Sequence, residues 1–326
     1  MENINIELFD EYYMFCNNGN YFKIGLFEGK ILSDILHGKE RETIIEEENL
    51  TESEFDYIMN AFEEAGIWEP DKKEKFNPLY VKIPLFDANN LLGKICDRIK
   101  KCKVLSRIIF LLFSGVVAYG MLFTIWNFKD IFSMQSIRMP VYDYVIVYFL
   151  FTLIIFCHEM GHGITCKYFD GEVGKIGVAF IVFNPAMYCD ISGVRMFKET
   201  YKQILSSMAG FFVNGFFIGV FAILLSFDKS NLWSALIILN ATSIIINAIP
   251  FIRLDGYWIL SFGLKVQNLH VNSMKKIKSI RNKEEFTTLK DYFILLYGVL
   301  NCCVILYCCI CFIAKIWDLL HNIITV

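Results

Sequence analysis

The chain has 326 residues, 55% of them hydrophobic and 16% aromatic, with a net charge of −3. That is too apolar for an ordinary soluble domain, and the near-balanced charge offers no basic surface for nucleic acid. The eleven cysteines, five of them crowded from Cys302 to Cys311 inside an apolar run, read as packing residues rather than a metal or disulfide framework.

Residues 1–75 are polar and acidic, with no cleavable signal sequence. Tyr12, Tyr13, Met14 and Phe15 run into Asn17-Asn18-Gly19-Asn20, a hairpin-turn cluster, and Tyr21–Phe27 supplies the partner strand. Glu28–Leu36 follows as an amphipathic helix ending near Gly38. Thr51-Glu-Ser-Glu54 is a capping box that opens a further helix, closing at Gly66. A hairpin with two or three helices makes a small α+β, winged-helix-like domain. Its Glu46, Glu47, Glu48 and Glu52 disfavour DNA as a partner. Residues 76–103 read as a charged linker. It ends in an amphipathic helix (Leu91, Leu92, Ile95, Ile99 against Lys94, Arg98, Lys100) suited to a membrane surface.

From residue 104 onward the pattern is that of a polytopic membrane helix bundle, so the chain is mainly α. Runs at about 104–126, 144–166, 204–227, 232–249 and 292–316 each reach the roughly 20 residues that cross a bilayer. Arg98, Lys100, Lys101, Lys103 and Arg107 flank the first span. Lys265, Lys275, Lys276, Lys278, Arg281 and Lys283 lie between the fourth and fifth. The positive-inside rule therefore puts the N-terminus in the cytosol of a multi-pass cell-membrane protein. Abundant Ile, Lys, Asn and Phe suggest a bacterial source.

The second span contains His158-Glu159-Met-Gly-His162, which uses two of the five histidines in the chain. Residues four apart share a helix face, so both rings can hold one metal, and Glu159 can serve a metal-bound water as general base. Ionisable groups at membrane depth are costly, which makes them functional candidates. A polar helix end with two solvated histidines is the plain alternative. Against it stands Asp255, in Asn247-Ala-Ile-Pro250-Phe-Ile-Arg-Leu-Asp255-Gly256, where Pro250 breaks the fourth span and Gly256 permits a turn. In the cytosol-in topology His158 and Asp255 lie near the same side of the membrane. Two histidines, a carboxylate and a water make a catalytic zinc centre, one Zn2+ per chain. Between the motifs, Ile176–Phe183 is too short to span and rich in β-branched and aromatic residues. It reads as a strand or short re-entrant hairpin, either an edge for an extended substrate or a packed wall.

These residues resemble the site-2 protease class of intramembrane zinc metalloproteases, which pairs HExxH on one membrane helix with an Asp-Gly motif on a later one. The resemblance covers about residues 145–260. It narrows to the bacterial peptide zinc metalloprotease branch through Gly171, Gly174, Asn184-Pro185-Ala-Met-Tyr188-Cys-Asp190 and Leu254-Asp255-Gly256-Tyr257-Trp258. It implies Glu159 as the catalytic base and His158, His162 and Asp255 as zinc ligands. Asn214, in Ala209-Gly210-Phe-Phe-Val-Asn214, and Asn247 either order ligands and substrate or simply bond between helices. Tyr188 and Asp190 either support the site or form a turn beside it. The N-terminal unit resembles PqqD-like domains, which bind leader peptides along a strand edge and an adjoining helix.

Together the resemblances imply a zinc endopeptidase that matures a ribosomally made precursor peptide at the membrane, alongside a peptide-modifying enzyme or an exporter. Regulated cleavage of a membrane-held transcription or anti-sigma factor is the second enzymatic reading. A non-catalytic immunity or export partner is the third, disfavoured because all four core site residues are intact. A di-iron oxygenase would need more histidines than the five present.

Overall fold

A computed structural model describes residues 4–17, 19–68, 80–134, 139–181, 184–281 and 288–324. Asn18 of the hairpin turn, the linker up to residue 79, residues 182–183 and Lys283 lie outside them. The chain divides into two units, Met1–Ala241 and Thr242–Val326.

The first unit opens with an antiparallel meander, β1 (Ile4–Leu8), β2 (Tyr13–Asn17) and β3 (Asn20–Ile24), in the order β1-β2-β3. The expected hairpin is β2–β3. The additional strand, β1, follows from the alternation of Ile4, Ile6 and Leu8. Then come α1 (Leu26–Leu36), α2 (Arg41–Glu47) and α3 (Glu52–Glu64). Thr51 and Glu54 form the reciprocal capping box read from the sequence. One sheet face buries Phe15 and Ile24 against Leu32, Phe62 and Ile67.

The register puts Asn5, Cys16 and Tyr21 in one row on the other face, with Glu7, Met14 and Lys23 in the next. Met14 and Cys16 are buried there as well. A cleft of about 270 Å3 separates this face from residues 169–172 and 193–197. Glu7 pairs with Lys198 at 2.8 Å, and the Arg195 guanidinium lies 5.9 Å from the Tyr21 ring. The small domain is therefore seated on the rest of the first unit.

Residues 80–87, expected as linker, form a strand, β4 (Tyr80–Asp87). It pairs antiparallel with β5 (Lys175–Ile181), which pairs with β6 (Asn184–Cys189), giving the order β4-β5-β6. The expected hairpin is thus present, but Ile176–Ile181 is a central strand with partners on both sides. The edges of this sheet are β4 and β6. Pro84 lacks an N–H, and the register shifts in a bulge between Pro84 and Phe86.

Helix α4 (Asn89–Lys101) is the expected amphipathic helix, and it turns its apolar face onto protein. Leu92 and Cys96 are buried, Leu92 lying where a side chain at Gly163 would stand. Lys167 donates to Asn89 Oδ1 at 2.7 Å, which fixes α4 to the second span.

Among the described residues, five helices are long and apolar enough to cross a membrane: α5 (Lys103–Trp126), α7 (Val141–Tyr168), α8 (Thr200–Phe227), α9 (Asn231–Ala248) and the Leu289–Lys315 part of α12 (Leu289–Ile324). The protein is a polytopic membrane protein. A short helix, α6 (Phe128–Met134), separates α5 from α7, and a 3-10 turn, Ser192–Met196, precedes α8. Helix α8 is the most buried of the five and packs along both α5 and α7. Backbone contact at Gly120 and Gly219 lets α5 and α8 cross closely. Because β4 precedes α5 and β5 follows α7, pairing of the two strands means that the chain crosses twice between them and returns to the same side.

The second unit contains most of the last turns of α9, then α10 (Asp255–Gly263), α11 (Leu269–Arg281) and α12. Tyr257, Val266, Leu269, Ile294 and Tyr297 form its apolar core.

Candidate metal centre

Both histidines come from α7, and both are buried, His158 at 5% and His162 at 4% exposure. Helix α8 lies against their face and satisfies the inner nitrogen of each ring. His162 Nδ1 is 2.8 Å from the Ser206 carbonyl oxygen, which can only accept, so Nδ1 carries the proton. His158 Nδ1 donates to Asn214 Oδ1 at 3.3 Å. Each ring therefore presents its Nε2 as the metal-facing nitrogen.

Those two Nε2 atoms stand 3.2 Å apart. Two ring nitrogens at that separation can share one cation. Nitrogens bound tetrahedrally to zinc at about 2.0–2.1 Å are about 3.4 Å apart, so the pair fits that ion with almost no movement. Gly210 is the reason the rings can sit here, because a methyl group at that position would overlap the His158 imidazole.

Glu159 points to a different neighbour. Its Oε2 accepts from the backbone N–H of Cys189, the last residue of β6, at 2.9 Å. The end of the edge strand thus fixes the carboxylate one residue from the metal-facing pair. Asp190 closes the base of the hairpin: its carbonyl accepts from Gly174 at 2.7 Å and its Oδ1 from the Ser192 N–H at 3.0 Å. Tyr188 lies in β6 with the Lys82 ammonium 5.5 Å from its ring. Burial pushes the Cys189 thiol well above its ordinary value.

In the second unit, Asp255 is the first residue of α10. Gly256 lies so close to the Ala248 carbonyl that no side chain fits there, which folds the start of α10 back on the end of α9. Asn247 turns its amide onto its own helix, donating to the Ser243 carbonyl at 3.0 Å. Among the sequence-derived residues of the first unit, the structure brings His158, His162, Glu159 and Asn214 together. The sequence reading missed the Ser206 carbonyl and the Cys189 amide, which are backbone groups without a residue signature. Gly210 was visible as part of a motif, but not as space for an imidazole.

A buried HExxH pair on a helix long and apolar enough to cross a membrane defines a class of membrane peptidase, and comparison with known proteins agrees. The chain belongs to the Peptidase M50B-like family, whose model matches residues 131–307. It is similar to "Putative peptide zinc metalloprotease protein YydH" of Bacillus subtilis (strain 168), with 29% identity over 120 residues. That alignment covers 36% of this chain and 46% of the relative, so the chain spans less than half the length of that protein. No solved structure matches. The family and the relative's name imply zinc, and the histidine pair accommodates it.

Proposed function

We propose that the protein is an intramembrane zinc endopeptidase that cleaves a ribosomally made precursor peptide at or near the bilayer. The observation that carries this reading is the histidine pair: inner nitrogens pinned by α8, outer nitrogens converging at 3.2 Å, with Glu159 next in the chain. His158, His162 and Asp255 are the ligands. Asp255 is supported by its motif and by its presentation on the first turn of a helix that a proline and a glycine have broken from α9.

When bound, zinc polarises the scissile carbonyl and acidifies a water. Glu159 takes the proton of the attacking water and returns it to the leaving amine. The Cys189 N–H holds the carboxylate in the orientation for that transfer. Asn214 and the Ser206 carbonyl hold the imidazoles in the tautomer that ligates.

The extended substrate adds to β6. Asp190 hydrogen-bonds at the base of β5 while the Cys189 N–H faces Glu159, so by strand alternation Met187 turns its N–H and carbonyl to the same side as Cys189. Main-chain pairing there would lay the peptide beside the general base. Pro185, without an N–H, limits the edge at its far end.

The N-terminal domain docks the leader of the precursor along β3 and the face of α3. A peptide-modifying enzyme or exporter acts on the same precursor. The basic residues beside the first span and after the fourth favour the cytosolic side of a cell membrane for this domain, β4 and the hairpin.

The test is co-expression of wild type and Glu159→Gln with a candidate precursor, read by mass spectrometry. Glu159 is not a ligand, so the variant should retain zinc while cleavage falls by about 10²–10⁴-fold. Equal cleavage by both proteins would sink the catalytic assignment.

A further inference from the structure

The turn that carries Asp255 is held by side chains with no part in the chemistry above. Before Asp255, the Pro250 carbonyl accepts a hydrogen bond from the Tyr297 hydroxyl of α12 at 3.0 Å. Phe251 stacks on the Tyr297 ring, with centroids 5.7 Å apart and planes 23° from parallel. After Asp255, Tyr257 stacks on His270 of α11 at 4.7 Å and 16°.

The two sides are joined, because His270 Nδ1 lies 3.1 Å from the Tyr297 oxygen and 3.2 Å from the Asn301 amide nitrogen. Tyr257 and Tyr297 are 1% and 5% exposed, so these contacts are made away from water. The hydroxyl proton of Tyr297 goes to the Pro250 carbonyl, which can only accept. Burial, and then the Arg253 charge, hold His270 below its ordinary value.

The arrangement is more specific than packing requires. A broken helix end has freed carbonyls that water or any donor could satisfy. Here one freed carbonyl is taken by a buried hydroxyl whose oxygen is itself in contact with a ring stacked two residues beyond the carboxylate. Residues 250–257 are thus clamped on both sides of Asp255 by one Tyr297–His270 pair.

We propose that Tyr297 and His270 are positioning residues that fix the Asp255 carboxylate in its metal-binding orientation. The inference rests on the reading of Asp255 as a zinc ligand. Loss of the clamp lets the turn sample other conformations, so the carboxylate ligates only part of the time.

The test uses the full chain in detergent, with zinc affinity measured by chelator competition and thermal stability measured in parallel. Tyr297→Phe keeps the ring stack and removes only the hydroxyl. It should weaken zinc binding about 10- to 100-fold, as loss of an outer-shell partner does, with the folded protein still recovered. Any cleavage lost should be in kcat, with KM unchanged. Asp255→Ala/Tyr297→Phe should bind zinc no more weakly than Asp255→Ala alone, because the hydroxyl acts through the carboxylate.

Wild-type zinc affinity in Tyr297→Phe, alongside weakened binding in Asp255→Ala, would overturn the positioning role and leave the ligand reading standing. Wild-type affinity in Asp255→Ala would overturn both. A further, additive loss in the double variant would assign the hydroxyl a general structural role instead.

Discussion

The two parts of the proposed metal centre are built by opposite means. The histidines sit inside an unbroken helix, and a neighbouring helix orients them with an amide, a carbonyl and the gap left by Gly210. The aspartate sits where a helix has been broken, and its support is an aromatic cluster around the break. A regular helix fixes the spacing of two ligands by itself, so only ring rotation remains to be specified. A turn fixes nothing by itself and needs external clamps.

The sharpest way to break this contrast is His162→Ala. With one of two converging nitrogens gone, the protein should retain no zinc through purification and show no cleavage, measured by metal analysis and mass spectrometry. Retention of stoichiometric zinc would mean that the metal is held elsewhere. A smaller effect is expected from Asn214→Leu, which keeps the volume but removes the acceptor of His158 Nδ1. Zinc affinity should fall about 10- to 100-fold, because the tautomer and rotation of the ring are no longer set. The smallest effect separates the two asparagines. Asn247 spends its amide on Ser243 of its own helix, so Asn247→Leu should leave zinc affinity within about twofold, a ring-orienting asparagine being the costly one to lose. A loss as large as that of Asn214→Leu would erase the distinction.

The histidine part was readable because its logic is local. A spacing of four residues on a helix, in a run that otherwise excludes ionisable groups, needs no knowledge of the partner helix. The five spans were readable for a similar reason, since bilayer thickness imposes length and composition on each run independently. The capping box of α3 is likewise contained in four residues.

What escaped were the long-range pairings. The strand β4 carries Pro84 and Lys82 and reads as linker until its partner, β5, is known. That partner changes the reading of the hairpin, because β5 moves from edge to centre and the edges become β4 and β6. The amphipathic stripe of α4 was correctly seen as a stripe, yet periodicity alone does not distinguish a lipid surface from the flank of α7. Tyr297 and His270 gave no local signal at all, since their meaning depends on the Pro250 carbonyl, 47 residues before Tyr297, and on each other, 27 residues apart.

The strand β4 also imposes an order on biogenesis. It leaves the ribosome before α5 and α7, and its partner follows 88 residues later, from Asp87 to Lys175. At about 5–20 residues per second, β4 waits for roughly 4–18 s with two helices entering the bilayer in the interval. Throughout that wait Ile83, Leu85 and Phe86 form an unpaired apolar strand, open to any other nascent chain. Lys82 and Pro84, interleaved with them, make poor templates for such pairing. The residues that hid β4 from a reader of the sequence thus also hide it from unwanted partners until α7 has delivered the right one.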